Sequence, residues 1–168
     1  MKALFIGRFQ PFHNGHLKVI QEGITDFSFL YIGVGSSQYE HTLENPFSYT
    51  ERKTMIEVAL NEQQRSQIQI IPIPDIHDPP RWVQHVRTII DDFDIVISNN
   101  SFTAQLFKEQ GYRIKQTVLF NRNILSGKEI RKRMILDLPW QTLVPEPVTA
   151  YLSSIEAVYR LKNINDEQ

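Results

Sequence analysis

The 168-residue chain contains no cysteine. That absence excludes disulfides, thiolate catalysis and cysteine-ligated zinc. Charge of one sign is lacking too: 18 Lys+Arg against 19 Asp+Glu leave a formal net charge of -1 at pH 7. A dedicated nucleic-acid binder needs a strongly basic footprint, so that class is set aside. A local basic patch over a small phosphorylated ligand stays open. Long apolar runs are missing as well. The opening MKALFIG meets Arg8 too early for a signal h-region or a membrane span. The expectation is a cytoplasmic protein without membrane association. No repeat, low-complexity tract or linker interrupts the chain, and its length suits one domain over 1–168. The polar tail 162–168 (KNINDEQ) is expected to fray. What is present is a globular balance, 41% hydrophobic and 22% charged, sufficient to bury a core.

Apolar runs and helical periods alternate along the chain. Residues 2–7 (KALFIG) read as a buried first strand ending at glycine. After a polar turn at 8–15, a helix is expected from His16 to Thr25, with Leu17, Ile20 and Ile24 on one face. Further strands are expected at 27–34, 67–73, 93–98 and 112–120. Further helices are expected after a Ser48–Glu51 capping box, over 81–91 and 101–110 (stopped by Gly111), over 126–136 and over 147–161. Strand–helix alternation predicts an α/β fold: a single-domain, Rossmann-like, doubly wound parallel sheet with helices on both faces. Ligands of such sheets bind where strands end and helices begin, at the reversal of strand order.

Two segments carry residues suited to phosphate. The first, Gly7-Arg8-Phe9-Gln10-Pro11-Phe12-His13-Asn14-Gly15-His16, joins the first strand to the first helix. Gly7 and Gly15 let a ligand approach the backbone, and the helix start offers N–H groups to an anion. His13 and His16, three apart, share one face there and can donate to phosphate oxygens. An isolated HxxH is more often an incidental helix cap, by roughly four to one. The glycines, the arginine and the first strand-to-helix turn reverse those odds. The second segment, Ser126-Gly127-Lys128-Glu129-Ile130-Arg131-Lys132-Arg133-Met134, begins with a possible capping box, Ser126 with Glu129. A solvated basic helix face is the plainer reading and covers Lys132 and Arg133. It leaves Gly127 and Arg131 unexplained, and Arg131 can bind phosphate bidentately. A metal site is not expected, because no further ligand has helpful spacing.

Together the two segments resemble the HxGH nucleotidyltransferases. The longer pattern is GRFQPFHxGH, then HTLENPF at 41–47, ER at 51–52, DI and WV within 75–83, and FNR…SGxEIRxRM over 120–134. It is similar to archaeal-type nicotinamide-nucleotide (NMN) adenylyltransferases over nearly the whole chain. Three departures stand out. The family's threonine is Lys128 here, and Pro79-Pro80 occupy the loop where the family often has asparagine. Ser98-Asn99-Asn100 replaces a family SGN.

The resemblance implies transfer of AMP from ATP to NMN, giving NAD and pyrophosphate, with Mg2+ arriving on ATP, and a homo-oligomer, often a hexamer. It implies catalytic roles for His16, His13 and Arg131. The ATP-binding set is Gly7, Arg8, Phe9, His13, Gly15, His16, Ser126, Gly127, Ile130 and Arg131. The NMN-binding set is Asp75, Ile76 and Trp82, the indole lying beside the nicotinamide ring. Taken alone, Trp82 reads as a core residue and Asp75 as a turn residue. His41, His77 and His85 are read as surface or structural. The competing functions are adenylyl or cytidylyl transfer to another phosphorylated acceptor such as phosphopantetheine, and an ATP- or NAD-sensing module without turnover.

Overall fold

The computed structural model describes residues 1–117 and 124–168. Strand β1 (Lys2–Gly7) alternates between two layers: Ala3 and Phe5 enter one buried cluster and Leu4 the other. Helix α1 (Asn14–Asp26) leads to β2 (Phe29–Gly35), which runs parallel to β1 with Ile32 opposite Phe5. Helix α2 (Tyr49–Ala59) opens on the expected capping box. Ser48 Oγ accepts the Glu51 N–H at 3.1 Å, and the Glu51 carboxylate accepts the Ser48 N–H at 3.0 Å. Then come α3 (Glu62–Ser66), β3 (Ile68–Ile73), α4 (Pro79–Ile89), β4 (Ile95–Ile97), α5 (Ser101–Glu109) and β5 (Arg113–Lys115). The described chain ends with α6 (Gly127–Ile135), a 3-10 turn (Gln141–Leu143), α7 (Glu146–Ser154) and α8 (Ala157–Asp166).

The five described strands are parallel, in the order β3-β2-β1-β4-β5. Ile20 of α1, Met55 and Ile56 of α2, Ile130 and Met134 of α6, Leu152 of α7 and Leu161 of α8 pack on one face. Val83 and Val86 of α4 and Phe107 of α5 pack on the other. This is the doubly wound α/β sheet expected from the alternation. Strand order reverses between β1 and β4, so a crevice opens beyond the carboxyl ends of those two strands. The β1–α1 turn and the start of α5 flank it.

Several boundaries differ from the sequence reading. Helix α4 begins at Pro79 rather than Arg81, because proline suits the first turn, where its missing N–H costs nothing. The helix expected over 147–161 is two helices. Ile155 ends α7, and Glu156 takes a left-handed conformation (φ 54°) that redirects α8. The tail expected to fray is helical through Asp166. Ile164 is buried in α8, and Lys162 Nζ lies 2.7 Å from both Asp137 carboxylate oxygens. Of the strand expected over 112–120, Arg113–Lys115 pair with the three residues of β4, and 118–120 lie outside the described residues. The FNR segment at 120–122 lies outside the described residues. Gly111 does sit just past α5 with φ +87°, the conformation that favours glycine.

Candidate active site

The β1–α1 turn is built by its histidines. His13 caps α1, and its Nδ1 accepts the N–H groups of Gly15 (3.1 Å) and His16 (3.4 Å). His16 returns the bond: its Nδ1 accepts the His13 N–H at 3.2 Å. The pair thus forms a capping box made of imidazoles, with the rings stacked at 3.6 Å between centroids. Each Nδ1 is an acceptor, so the proton of each neutral ring sits on Nε2, leaving one Nε2–H donor on each ring. Burial pushes the His13 imidazole down to about 4. His16 lies well below its usual range, through burial first and then through His13 beside it. Both are neutral donors at pH 7. Phe9, wholly buried and left-handed (φ 54°), supports His16 edge-on at 4.7 Å. Gly7 leaves room for the Phe9 ring, because a Cβ there would fall 2.9 Å from it.

Helix α6 docks against this turn. A Cβ on Gly127 would lie 2.8 Å from the Gln10 carbonyl oxygen and 2.9 Å from an Arg131 guanidinium nitrogen. The glycine therefore admits protein backbone, a closer use than the ligand approach inferred from sequence. Arg131, nine-tenths buried, donates to that same Gln10 oxygen at 2.7 Å. Burial, and then Arg8, lower the Arg131 guanidinium to about 10, so it stays charged. Leu125 approaches Gly15 from the same side. The two segments, more than a hundred residues apart in sequence, meet at Gln10. Ser126 Oγ caps α6 by accepting the Glu129 N–H at 3.1 Å, but the expected box is half formed. The Glu129 carboxylate turns to Arg133 at 3.2 Å instead. Ile130 is fully buried and its N–H is bonded to Ser126 O, so its side chain belongs to the core rather than to a ligand surface.

Arg52 escaped the sequence reading except as part of the ER pair. It is fully buried and donates to the carbonyls of Arg8 (3.0 Å), Gly35 (2.8 Å), Ser36 (3.3 Å) and Ser48 (3.2 Å). It ties the ends of β1 and β2 to α2. Its signal was available: Arg52 is in helical register with the buried Met55 and Ile56. Gln10 was missed in the same way. Its side-chain amide clamps the Phe47 backbone, giving and receiving a bond at 3.0 Å.

On the other layer, Asp75, His77, Asp78, Trp82, Phe102 and Thr103 line much of a cleft of ≈ 330 Å³. Half-buried Trp82 meets Phe107 edge-on at 5.7 Å, so one side packs on the core while the ring also borders the cleft. Asp75 makes the plain turn, its carboxylate accepting the His77 N–H at 2.9 Å. Ile76 is 37% exposed and does not line the cleft. His77, read as an incidental surface residue, has a partner and a place: its Nε2 lies 2.5 Å from the Tyr39 hydroxyl at the cleft. His85 Nε2 lies 2.9 Å from Pro74 O.

The cytidylyltransferase-like family model matches residues 4–133. A nicotinamide-nucleotide adenylyltransferase of Thermococcus sibiricus is 44% identical over 164 residues, 96% of this chain and 88% of the relative. That of Archaeoglobus fulgidus is 40% identical, covering 98% of each chain. The chain belongs to the nicotinamide-nucleotide adenylyltransferase branch of the cytidylyltransferase-like family. Solved structures share its fold. A bifunctional NMN adenylyltransferase/ADP ribose pyrophosphatase of Francisella tularensis, complexed with AMP and Mn ion, superposes with a TM-score of 0.78 at 21% identity. This chain covers 53% of that protein. The Plasmodium falciparum nicotinic acid mononucleotide adenylyltransferase, complexed with APC, gives 0.62 at 11% identity, with 94% and 96% of the two chains covered.

Among the described residues no group of three or more His, Asp or Glu side chains stands close enough to hold a metal ion. No described helix is long and apolar enough to cross a membrane.

Proposed function

We infer that the protein transfers the adenylyl group of ATP to nicotinamide mononucleotide, releasing NAD and pyrophosphate. The observation that carries this reading is the junction at Gln10. There, beside the strand-order reversal, the start of α6 and Arg131 dock on the β1–α1 turn that the two histidines build. In the reaction, a phosphate oxygen of the mononucleotide bonds to the α-phosphorus of ATP. The bond from that phosphorus to the bridging oxygen breaks, and the electron pair leaves with pyrophosphate. The substrate supplies the nucleophile, so the protein's work is alignment and charge stabilisation. His16 donates at the α-phosphate; His13, Arg131 and Arg8 serve the triphosphate, with the α6 start at Gly127 adding a backbone N–H. Asp75 and Trp82 take the mononucleotide, the indole face suiting a cationic pyridinium ring. Mg2+ would be held by the phosphates and water, as this ion commonly is, and its charge would offset that of the phosphates. A cytoplasmic homo-oligomer, a hexamer by family resemblance, belongs to the same reading.

The test is a product assay. With ATP, Mg2+ and nicotinamide mononucleotide, NAD and pyrophosphate should form in equal amounts, and phosphopantetheine should give neither adduct nor pyrophosphate. Binding of ATP with no pyrophosphate released from any acceptor would show a sensor instead.

A further inference from the structure

Strands β2 and β3 pair in register as far as Gly35 and Ile73. Ser36 then turns left-handed (φ 48°) and its carbonyl accepts from Arg52, so the ladder stops there. Gln38 resumes it with a side chain. Its Oε1 accepts the Asp75 N–H at 3.0 Å, and its Nε2 donates to the Asp75 carbonyl at 2.8 Å. The amide does for Asp75 what a neighbouring strand would do. Beside it, the Tyr39 hydroxyl meets His77 Nε2 at 2.5 Å, and His77 is left-handed too (φ 52°). Such conformations cost non-glycine residues energy and persist where the surroundings hold the backbone in place. Asp75 and His77 both line the ≈ 330 Å³ cleft. At the other end of this loop, the Arg52 guanidinium holds the carbonyls of Gly35 and Arg8 together. A chain of bonds therefore runs from the β1–α1 turn through Arg52 and residues 35–38 to Asp75.

Resting on the reaction proposed above, we propose that Gln38 is a positioning residue for the mononucleotide. Its amide fixes the Asp75 loop relative to the β1–α1 turn, and with it the distance from the attacking phosphate oxygen to the α-phosphorus of ATP. In-line transfer depends on such placement: a misplacement of ~1 Å can cost roughly a hundredfold in rate. Gln10 makes the same clamp on Phe47 in the interior, where it braces the core. The Gln38 clamp is exposed and stands beside the cleft, so its bonds contribute little to stability. What they set is where the loop stands.

Initial rates of NAD formation by the full chain, with ATP and nicotinamide mononucleotide varied separately, give kcat and the two KM values. Gln38→Ala should raise the KM for the mononucleotide about three- to tenfold and lower kcat severalfold, with the KM for ATP within about twofold of wild type. Its Tm should stay within about 3 °C of wild type. Gln38→Met keeps the length of the side chain without its polar atoms, and should behave like the alanine variant. Either variant with wild-type kinetics would overturn the proposal. So would equal rises in both KM values together with a lowered Tm, the mark of general support for the fold. Wild-type protein that makes no NAD from ATP and the mononucleotide would instead overturn the underlying reaction, and the proposal with it.

Discussion

A histidine usually earns its place by changing charge near neutrality; His13 and His16 are built not to. Their Nδ1 atoms are committed to helix capping and their rings are buried, so the neutral form is fixed with the proton on Nε2. This has a sign-definite effect on stability. A folded-state pKa of about 4 for His13 lies below the unfolded value near 6.5, so the unfolded chain binds more protons in that interval. The contribution is fully present above pH ~6.5 and is lost as pH falls toward 4, by on the order of 3 kcal/mol for His13 alone. Chemical denaturation of the ligand-free protein at stepped pH should show this decline, and a His13→Asn variant should show a shallower one. A second expectation concerns turnover. His16→Ala removes a donor whose bond strengthens as charge develops, so kcat should fall roughly a hundredfold while ATP affinity changes much less. A normal kcat with only a raised KM would move His16 from the reacting phosphate to a binding role.

Elements were legible where periodicity dominates. Strands β1 and β2 announce themselves by short apolar runs ending at glycine, and the Ser48–Glu51 box marks α2 from its sequence alone. The break between α7 and α8 was not legible, because Glu156 is a good helix former and nothing in the residue type marks its left-handed turn. The helical tail was hidden for a related reason: Ile164 is one apolar residue in a polar segment, and its burial is a property of the folded chain. At the site, the glycine and histidine segments were readable, and Arg131 with them. Arg52 and Gln10 were not, since their partners are backbone carbonyls and amides distant in sequence. Their contacts make the docking of α6 exacting. Gly127→Ala would set a methyl 2.8 Å from the Gln10 oxygen, which is backbone and cannot swing aside. Overpacking of this kind typically costs ~1–3 kcal/mol. The expected outcome is a folded protein with lowered Tm and a disproportionate loss of kcat/KM for ATP as Arg131 leaves its Gln10 bond. Wild-type kinetics at a lowered Tm would show that α6 tolerates the shift.

For the molecule as a whole, the sheet divides the work. The imidazole pair and α6 belong to the layer of α1, α2, α7 and α8, whereas Trp82 and the ≈ 330 Å³ cleft belong to the layer of α4 and α5. Trp82→Ala tests that division. Stacking on an aromatic base is worth on the order of 1–3 kcal/mol, so affinity for the mononucleotide and for NAD should fall about tenfold or more. ATP affinity should remain near wild type, and the loss of stability should be moderate because the indole is only half-buried. Separate calorimetric titrations with the two substrates, alongside a melting curve, check it. Equal losses for both ligands together with early unfolding would return Trp82 to the core.

The strand-order reversal carries a historical consequence. On the proposed reading, donor and acceptor are gripped by opposite sides of one sheet and meet only at the crevice beyond β1 and β4, so residues around 75–82 and 101–106 can be rewritten by mutation while the α1–α6 junction is left intact. Descent with a changed acceptor is thereby made easy, and descent with a changed donor hard: a lineage built on this plan can diversify what it adenylylates without relearning how.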